Sequence, residues 1–193
     1  LNADDNIELI SMCDVFEDKI QSSLNNLKDE FEGTSKIQVK NENWFSGFDG
    51  YKKTIDNADV VILATAPGFR HQHFEYAVNS SKHVFVEKPL CLTTAELGEI
   101  DEAISTNPTS IQVGFNRRFA PASVELKSRL DRAPGPKSAS FRVFAGKLDP
   151  EHWFANIDES GGRLIGESCH FLDYFCFLFD SKPVRVTAQT TWP

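Results

Sequence analysis

Along the first 116 residues, short apolar runs alternate with stretches in which apolar side chains return every three or four positions. Residues 7–13 (IELISMC) read as a strand, and Ile20, Leu24, Leu27 and Phe31 predict a helix over 16–31. Residues 36–39 read as a brief strand and 47–56 as a short helix. The strongest strand signal is 59–65 (DVVILAT), apolar at almost every position, as expected of a parallel strand buried on both faces, and ended by Pro67-Gly68. A helix over 70–79 follows, then a strand over 83–86, ending at Glu87-Lys88-Pro89. Thr93 or Thr94 caps the next helix, with Glu96 three residues after Thr93 as in a capping box, and 111–115 supplies the next strand. Strands alternating with helices predict βαβ units, hence an α/β fold with a doubly wound parallel sheet covered by helices on both faces.

The pattern changes after residue 116. Helical spacing over 121–132 is followed by Pro134-Gly135-Pro136 and by alternation over 138–144, which predicts a half-exposed strand. Gly161-Gly162 leads into a strongly aromatic stretch over 170–179, and 183–191 alternates again as a final strand. Two domains are expected, 1–116 and an α+β domain over 117–193.

Charge and composition narrow the function classes. Twenty Lys and Arg against 28 Asp and Glu leave a net charge of −8, which argues against a nucleic-acid partner. No apolar run approaches the roughly 20 residues that cross a bilayer, so no membrane partner is expected. The N-terminal Leu1-Asn2-Ala3-Asp4-Asp5 has neither the basic flank nor the apolar core of a signal peptide, and the missing initiator Met suggests truncation. Cys13, Cys91, Cys169 and Cys176 show no metal-ligand spacing, which predicts four small buried hydrophobes, no metal, and a reducing, cytoplasmic compartment.

In a doubly wound sheet, ligands bind beyond the carboxyl ends of the strands. That rule selects Asp14, Thr65 to Pro67, Glu87 to Pro89, and Asn116. Asp14 is placed either to accept hydrogen bonds from an adenosine ribose or simply to form a turn. Lys88, set between a carboxylate and a proline, either binds a ligand or transfers a proton, or is a surface residue in a turn. If a helix starts near Glu167, then Glu167, His170 and Asp173 share a face, which gives either a proton shuttle backed by a carboxylate or a capping Glu beside a core histidine packed among Phe171, Tyr174 and Phe175.

Taken in order, Ala64-Thr65-Ala66-Pro67 with His71, Lys82-His83-Val84-Phe85-Val86-Glu87-Lys88-Pro89, Gly114-Phe115-Asn116-Arg117-Arg118-Phe119, and residues 162–173 resemble the Gfo/Idh/MocA oxidoreductase family over essentially the whole chain from Ile7 onward. The resemblance implies a Rossmann domain binding NAD, with NADP as the other cofactor family members accept, and a C-terminal domain whose open sheet carries the substrate site and an oligomer interface. It implies that Lys88 and His170 are the catalytic acid/base pair, converging on a shared cleft, and that Glu87 orients Lys88. Asp14, Thr65, Pro67, His71, Glu87 and Lys88 would line the cofactor, while Asn116, Arg117, Glu167 and His170 would meet the substrate. Asp14 favours NAD, because a carboxylate repels a 2′-phosphate. The activity implied is hydride transfer between a nicotinamide cofactor and a hydroxyl of a sugar, sugar derivative or cyclitol, in a protein that is a homo-oligomer when full length. An NAD-dependent glycosidase without net redox change and a non-catalytic cofactor sensor are the competing classes. The strand and G-x-G-x-x-G turn that the family places before Ile7 are absent, as is the later part of the C-terminal sheet, so an internal fragment with poor cofactor affinity of its own is expected. Many members carry an Asp four residues before the histidine, where this chain has Gly166.

Overall fold

The computed structural model describes residues 1–2 and 4–189. The chain packs as two compact units, Leu1–Val113 and the residues from Gly114 on.

In the first unit, β1 (Met12–Asp14) pairs in parallel with β2 (Trp44–Ser46), Met12 opposite Trp44. A second parallel sheet has the order β3 (Val60–Leu63), β4 (His83–Val86), β5 (Ile111–Val113), with Val61 opposite Val84 and Val84 opposite Ile111. The helices α1 (Glu17–Glu30), α2 (Gly50–Asp56), α3 (Pro67–Asn79) and α4 (Thr94–Thr106) alternate with these strands. Parallel neighbours need such crossovers, because a tight turn cannot reverse the chain twice.

The core is one side of the three-stranded sheet. Val61, Leu63, Val84 and Val86 meet Ile55 of α2, Phe74, Ala77 and Val78 of α3, and Ile100 and Ala103 of α4. Phe74, Ala77 and Val78 share a face by the i, i+3, i+4 rule, which is why α3 lies along the sheet. Pro67 opens α3 at a position where its missing N–H costs nothing. Thr93 caps α4 as a capping box: its hydroxyl oxygen accepts from the Glu96 N–H at 3.1 Å, and Glu96 Oε2 accepts from the Thr93 N–H at 3.2 Å.

Several elements depart from the sequence reading. The strand at 59–65 is buried on one face only: Val61 and Leu63 are inside, while Val60 and Ile62 are 59% and 67% exposed. The helices packed on this sheet all lie on the Val61 side, so its residues alternate as in a half-covered sheet. Of 7–13 only Met12 and Cys13 lie in β1, and 36–39 contributes a single bridge, Ile37 to Leu9. β2 escaped the pattern because three residues are too few to show a period. The cysteines form no disulfide, and none is fully buried: Cys13 is exposed and the others half-buried.

In the second unit, α5 (Pro121–Arg132) and α8 (Ser168–Phe179) pack together, with short helices α6 (Ile157–Ser160) and α7 (Gly162–Gly166) between them in sequence. Neither 138–144 nor 183–189 forms a strand, and Phe144 and Val184 stand 99% and 102% exposed. Alternation supplies a sheet face, but a strand exists only where a neighbour takes its N–H and C=O groups. Residues 190–191 of the second predicted strand lie outside the described residues. Phe141, although 43% exposed, lies against α8, with ring centroids 4.8, 6.1 and 6.3 Å from Phe171, Tyr174 and Phe175.

Phe74 is completely buried. Phe74→Ala is expected to cost about 3–5 kcal/mol in urea unfolding, the usual range for emptying an aromatic core site; a loss under 1 kcal/mol would mean that this side of the sheet is not the core.

Candidate functional site

The carboxyl ends of β3 and β4 lie side by side, since the Glu87 N–H donates to Leu63 O at 2.9 Å just beyond the ladder. Two loops leave from there, one through Thr65 to Pro67 and the other through Glu87, Lys88 and Pro89. Both are held by Arg70, which sequence reasoning missed. This residue is 3% exposed, one turn into α3. Its Nη1 donates to Glu87 O at 2.8 Å and to Pro89 O, and its Nη2 donates to Thr65 O. The available signal was spacing: Arg70 precedes Phe74 by four residues, so it falls on the apolar face of its helix.

Of the predicted cofactor residues, Thr65 is half-buried and its hydroxyl shares a 3.0 Å hydrogen bond with His73 Nδ1. His73 also stacks on Tyr51, with ring centroids 3.9 Å apart and planes 22° apart. Burial, assisted by the neighbouring His71, pushes the His73 imidazole down to about 4. Pro67 is buried as the first residue of α3. His71 turns the other way, its Nδ1 3.8 Å from the carboxylate of Glu96 in the α4 cap. The Glu87 carboxylate accepts from the Lys88 backbone N–H at 3.1 Å, so it fixes the main chain from which the half-buried lysine side chain springs. Asp14, at the end of β1, is exposed and forms the turn into α1, with Oδ1 accepting from the Phe16 N–H at 2.9 Å. The Phe48 ring, just after β2, lies 6.4 Å from that of Phe69 in the first turn of α3, so the carboxyl ends of the two sheets face the same side.

The other predicted residues belong to the second unit. Asn116 and Arg117 open a 3-10 turn, Asn116–Phe119, with Asn116 exposed. Arg117 lies 3.4 Å from the Glu167 carboxylate and 5.0 Å over the Phe171 ring. Arg118 grips Asp173 with two donors, Nε at 2.6 Å and Nη2, and the carboxylate side chain is only 8% exposed. That bidentate bond raises the already high Arg118 pKa further. Asp173 therefore holds Arg118. His170 is 5% exposed and meets the Phe115 ring edge-on, centroids 6.1 Å apart and planes at 74°.

A family model described as "Oxidoreductase family, NAD-binding Rossmann fold" matches residues 20–115. Among curated proteins, the chain is 30% identical to the inositol 2-dehydrogenase of Salmonella typhimurium over 175 residues, covering 79% of this chain and 48% of that one. It is 32% identical to the scyllo-inositol 2-dehydrogenase (NAD(+)) of Bacillus subtilis over 132 residues, 68% of this chain and 38% of that one. The chain belongs to the Gfo/Idh/MocA oxidoreductase family. It spans less than half the length of these curated relatives. Two solved structures share the fold: the aldose-aldose oxidoreductase from Caulobacter crescentus, with a TM-score of 0.70 at 21% identity over 92% of this chain and 51% of that one, and a probable dehydrogenase from Thermotoga maritima, with 0.62 at 21% over 90% and 48%.

Within this Gfo/Idh/MocA chain, the donor set at the strand ends suits a dinucleotide. An ionised carboxylate has about four lone-pair sites, and the bond to Phe16 occupies one of those on Asp14, so ribose hydroxyls can be accepted at the others. No helix among the described residues is long and apolar enough to cross a membrane. The place of the acid that many family members carry before the histidine is closed here: a Cβ on Gly166 would sit 2.9 Å from both the Phe154 ring and Ser160 O. Gly166→Asp is expected to lower the unfolding midpoint by an equivalent of about 1–3 kcal/mol, and Phe154→Ala to relieve it only in part, because the Ser160 contact is backbone; full tolerance of Asp would show that the close approach is not real.

His73 gives a second test. An unfolded imidazole titrates near 6.5, whereas the folded one resists protonation down to about 4. As pH falls through that window the unfolded chain takes up a proton that the folded chain refuses, so stability held above pH ~6.5 is progressively lost. His73→Gln should flatten this acid-side decline in denaturant midpoints relative to the parent, and parallel declines would remove the assignment.

Proposed function

We propose that the protein carrying this chain is an oxidoreductase transferring a hydride between a nicotinamide cofactor, NAD rather than NADP, and a hydroxyl-bearing carbon of a sugar, sugar derivative or cyclitol. The observation that carries the reading is Lys88, held on a doubly anchored loop at the carboxyl end of β4 beside the Thr65 loop, in a family whose relatives include inositol dehydrogenases. Cyclitols and sugars differ from other dehydrogenase substrates in offering many hydroxyls, and Asn116, Arg117 and Glu167 offer matching donors and acceptors.

In this reading residues 1–116 bind the dinucleotide and residues 117–193 meet the substrate and a second copy of the protein. Asp14 accepts the ribose hydroxyls, and Thr65, Pro67 and His71 line the cofactor. The nicotinamide, when bound, supplies the hydride acceptor or donor. Lys88 holds the substrate hydroxyl and takes its proton during oxidation, returning it during reduction, with His170 as the second proton site. Glu87 keeps the lysine pointed by fixing its backbone. A cytoplasmic location is consistent with four cysteines that form no disulfide.

Lys88→Ala should lower turnover by about 100-fold or more, the range for an acid/base group, while leaving the unfolding midpoint within experimental spread. The measurement is NADH formation with a panel of cyclitols and free sugars. Unchanged turnover would strip Lys88 of its role, and absence of any net NADH in the parent while glycosides are cleaved would move the protein to the redox-neutral glycosidase class.

A further inference from the structure

We infer that Arg70 is the positioning residue for Lys88, clamping the backbone on both sides of it and locking that segment to the Thr65 loop. The kinetic part of this inference rests on the function proposed above; the structural part does not. Glu87 and Pro89 bracket Lys88, and their carbonyls both accept from the same nitrogen, Arg70 Nη1. Two carbonyls two residues apart can reach one donor only if the chain between them curls around it, so the Cα of Lys88 is held from both sides. The other terminal nitrogen, Nη2, takes the Thr65 carbonyl, which makes the relative position of the two loops a property of one rigid planar group.

Several features single out arginine for this work. The three carbonyls lie where the strands have ended and no ladder partner remains to take them, and a buried carbonyl must find a donor. A guanidinium presents five N–H donors in a fixed fork and accepts nothing. A lysine at 70 would bring its three donors on one nitrogen at the end of a flexible stem, and would tie the loops together less rigidly. Arg70 itself is only 3% exposed, and it sits four residues before the fully buried Phe74 on the same helical face, so its origin is as immobile as the core. An acid/base group displaced by about 1 Å can lose on the order of 100-fold in rate, so a clamp of this kind acts strongly on turnover.

The test compares Arg70→Lys and Arg70→Met with the parent protein and with Ile100→Val, a conservative variant of the core cluster that lies outside the two loops. Two quantities are read: amide hydrogen exchange in peptides covering residues 64–66 and 86–92 without ligand, and kcat, KM and the NAD dissociation constant with a cyclitol substrate. Both Arg70 variants should speed exchange in the two loops together, and Arg70→Lys should lower kcat by about 100-fold, with a smaller rise in the NAD dissociation constant because the Thr65 loop lines the cofactor in this reading. Ile100→Val should do neither. Exchange in the loops unchanged, exchange raised in one loop only, or a lowered kcat matched by Ile100→Val would each overturn the clamp, as would loss of cooperative folding in both Arg70 variants. Faster exchange in both loops of a protein whose parent reduces no NAD would uphold the clamp and end the proposed function, so the two failures are told apart.

Discussion

A parallel sheet strands its backbone at the carboxyl end of every strand, because each chain must turn away to a helix and leave carbonyls with no ladder partner. The buried guanidinium of Arg70 answers that constraint for two adjacent strands at once, taking carbonyls after β3 and after β4. Placing a full charge in the interior is costly unless polar groups surround it, and here the carbonyl dipoles that need a donor are the groups that solvate the charge. The same contact fixes α3, whose Phe74, Ala77 and Val78 form the centre of the core. Core packing and loop placement are thus one structure: the helix that buries the apolar face carries the charged group that shapes the rim.

Around this clamp the rim is built from short-range contacts that each remove one freedom. Glu87 holds the Lys88 N–H, His73 holds the Thr65 hydroxyl, and Asp14 closes the turn into α1. His73 suits its task because it stays neutral: burial between Tyr51 and the loop keeps the proton off it well below neutral pH. A charged imidazole at that position would be buried beside His71, and burial together with that neighbour keeps the ring neutral.

The main chain of this architecture was legible in the amino-acid pattern, and the failures have physical reasons. β4 and α5 lie where the pattern puts them, and the capping box of α4 forms between Thr93 and Glu96. A run of β-branched residues and a reciprocal cap are local signals that tertiary contacts only reinforce. Residues 138–144 and 183–189 failed because alternation describes one chain while a strand is a relation between two. Within the site, the strand-end rule located the Thr65 and Lys88 loops, yet it passed over the residues that hold them. On an α-helix each step turns by about 100°, so Arg70, His73, Phe74 and Ala77 return to the inner face while His71 faces α4. His73 was passed over because the motif points to His71 and gives no helical phase, and Arg70 was lost because a charged residue on an inner face is rare.

The second unit solves its placement problem with side-chain charge. Asp173 lies three residues after His170 on α8, the spacing that first suggested a carboxylate behind an imidazole, and its two oxygens go instead to Arg118 in the turn 116–119. Because that carboxylate is nearly sealed from water, removing the arginine would leave a buried charge without its partner, so the pair fastens α8 to the turn more firmly than an exposed ion pair does. Arg117 repeats the connection one residue earlier, through Glu167 at the start of α8 and the face of Phe171. His170 rides between these two attachments, with Phe115 against its ring. Asp173 and His170 share this helix, so the Arg118 pair steadies the element from which the imidazole springs, and the Phe154 ring at Gly166 closes the neighbouring place where another acid would stand.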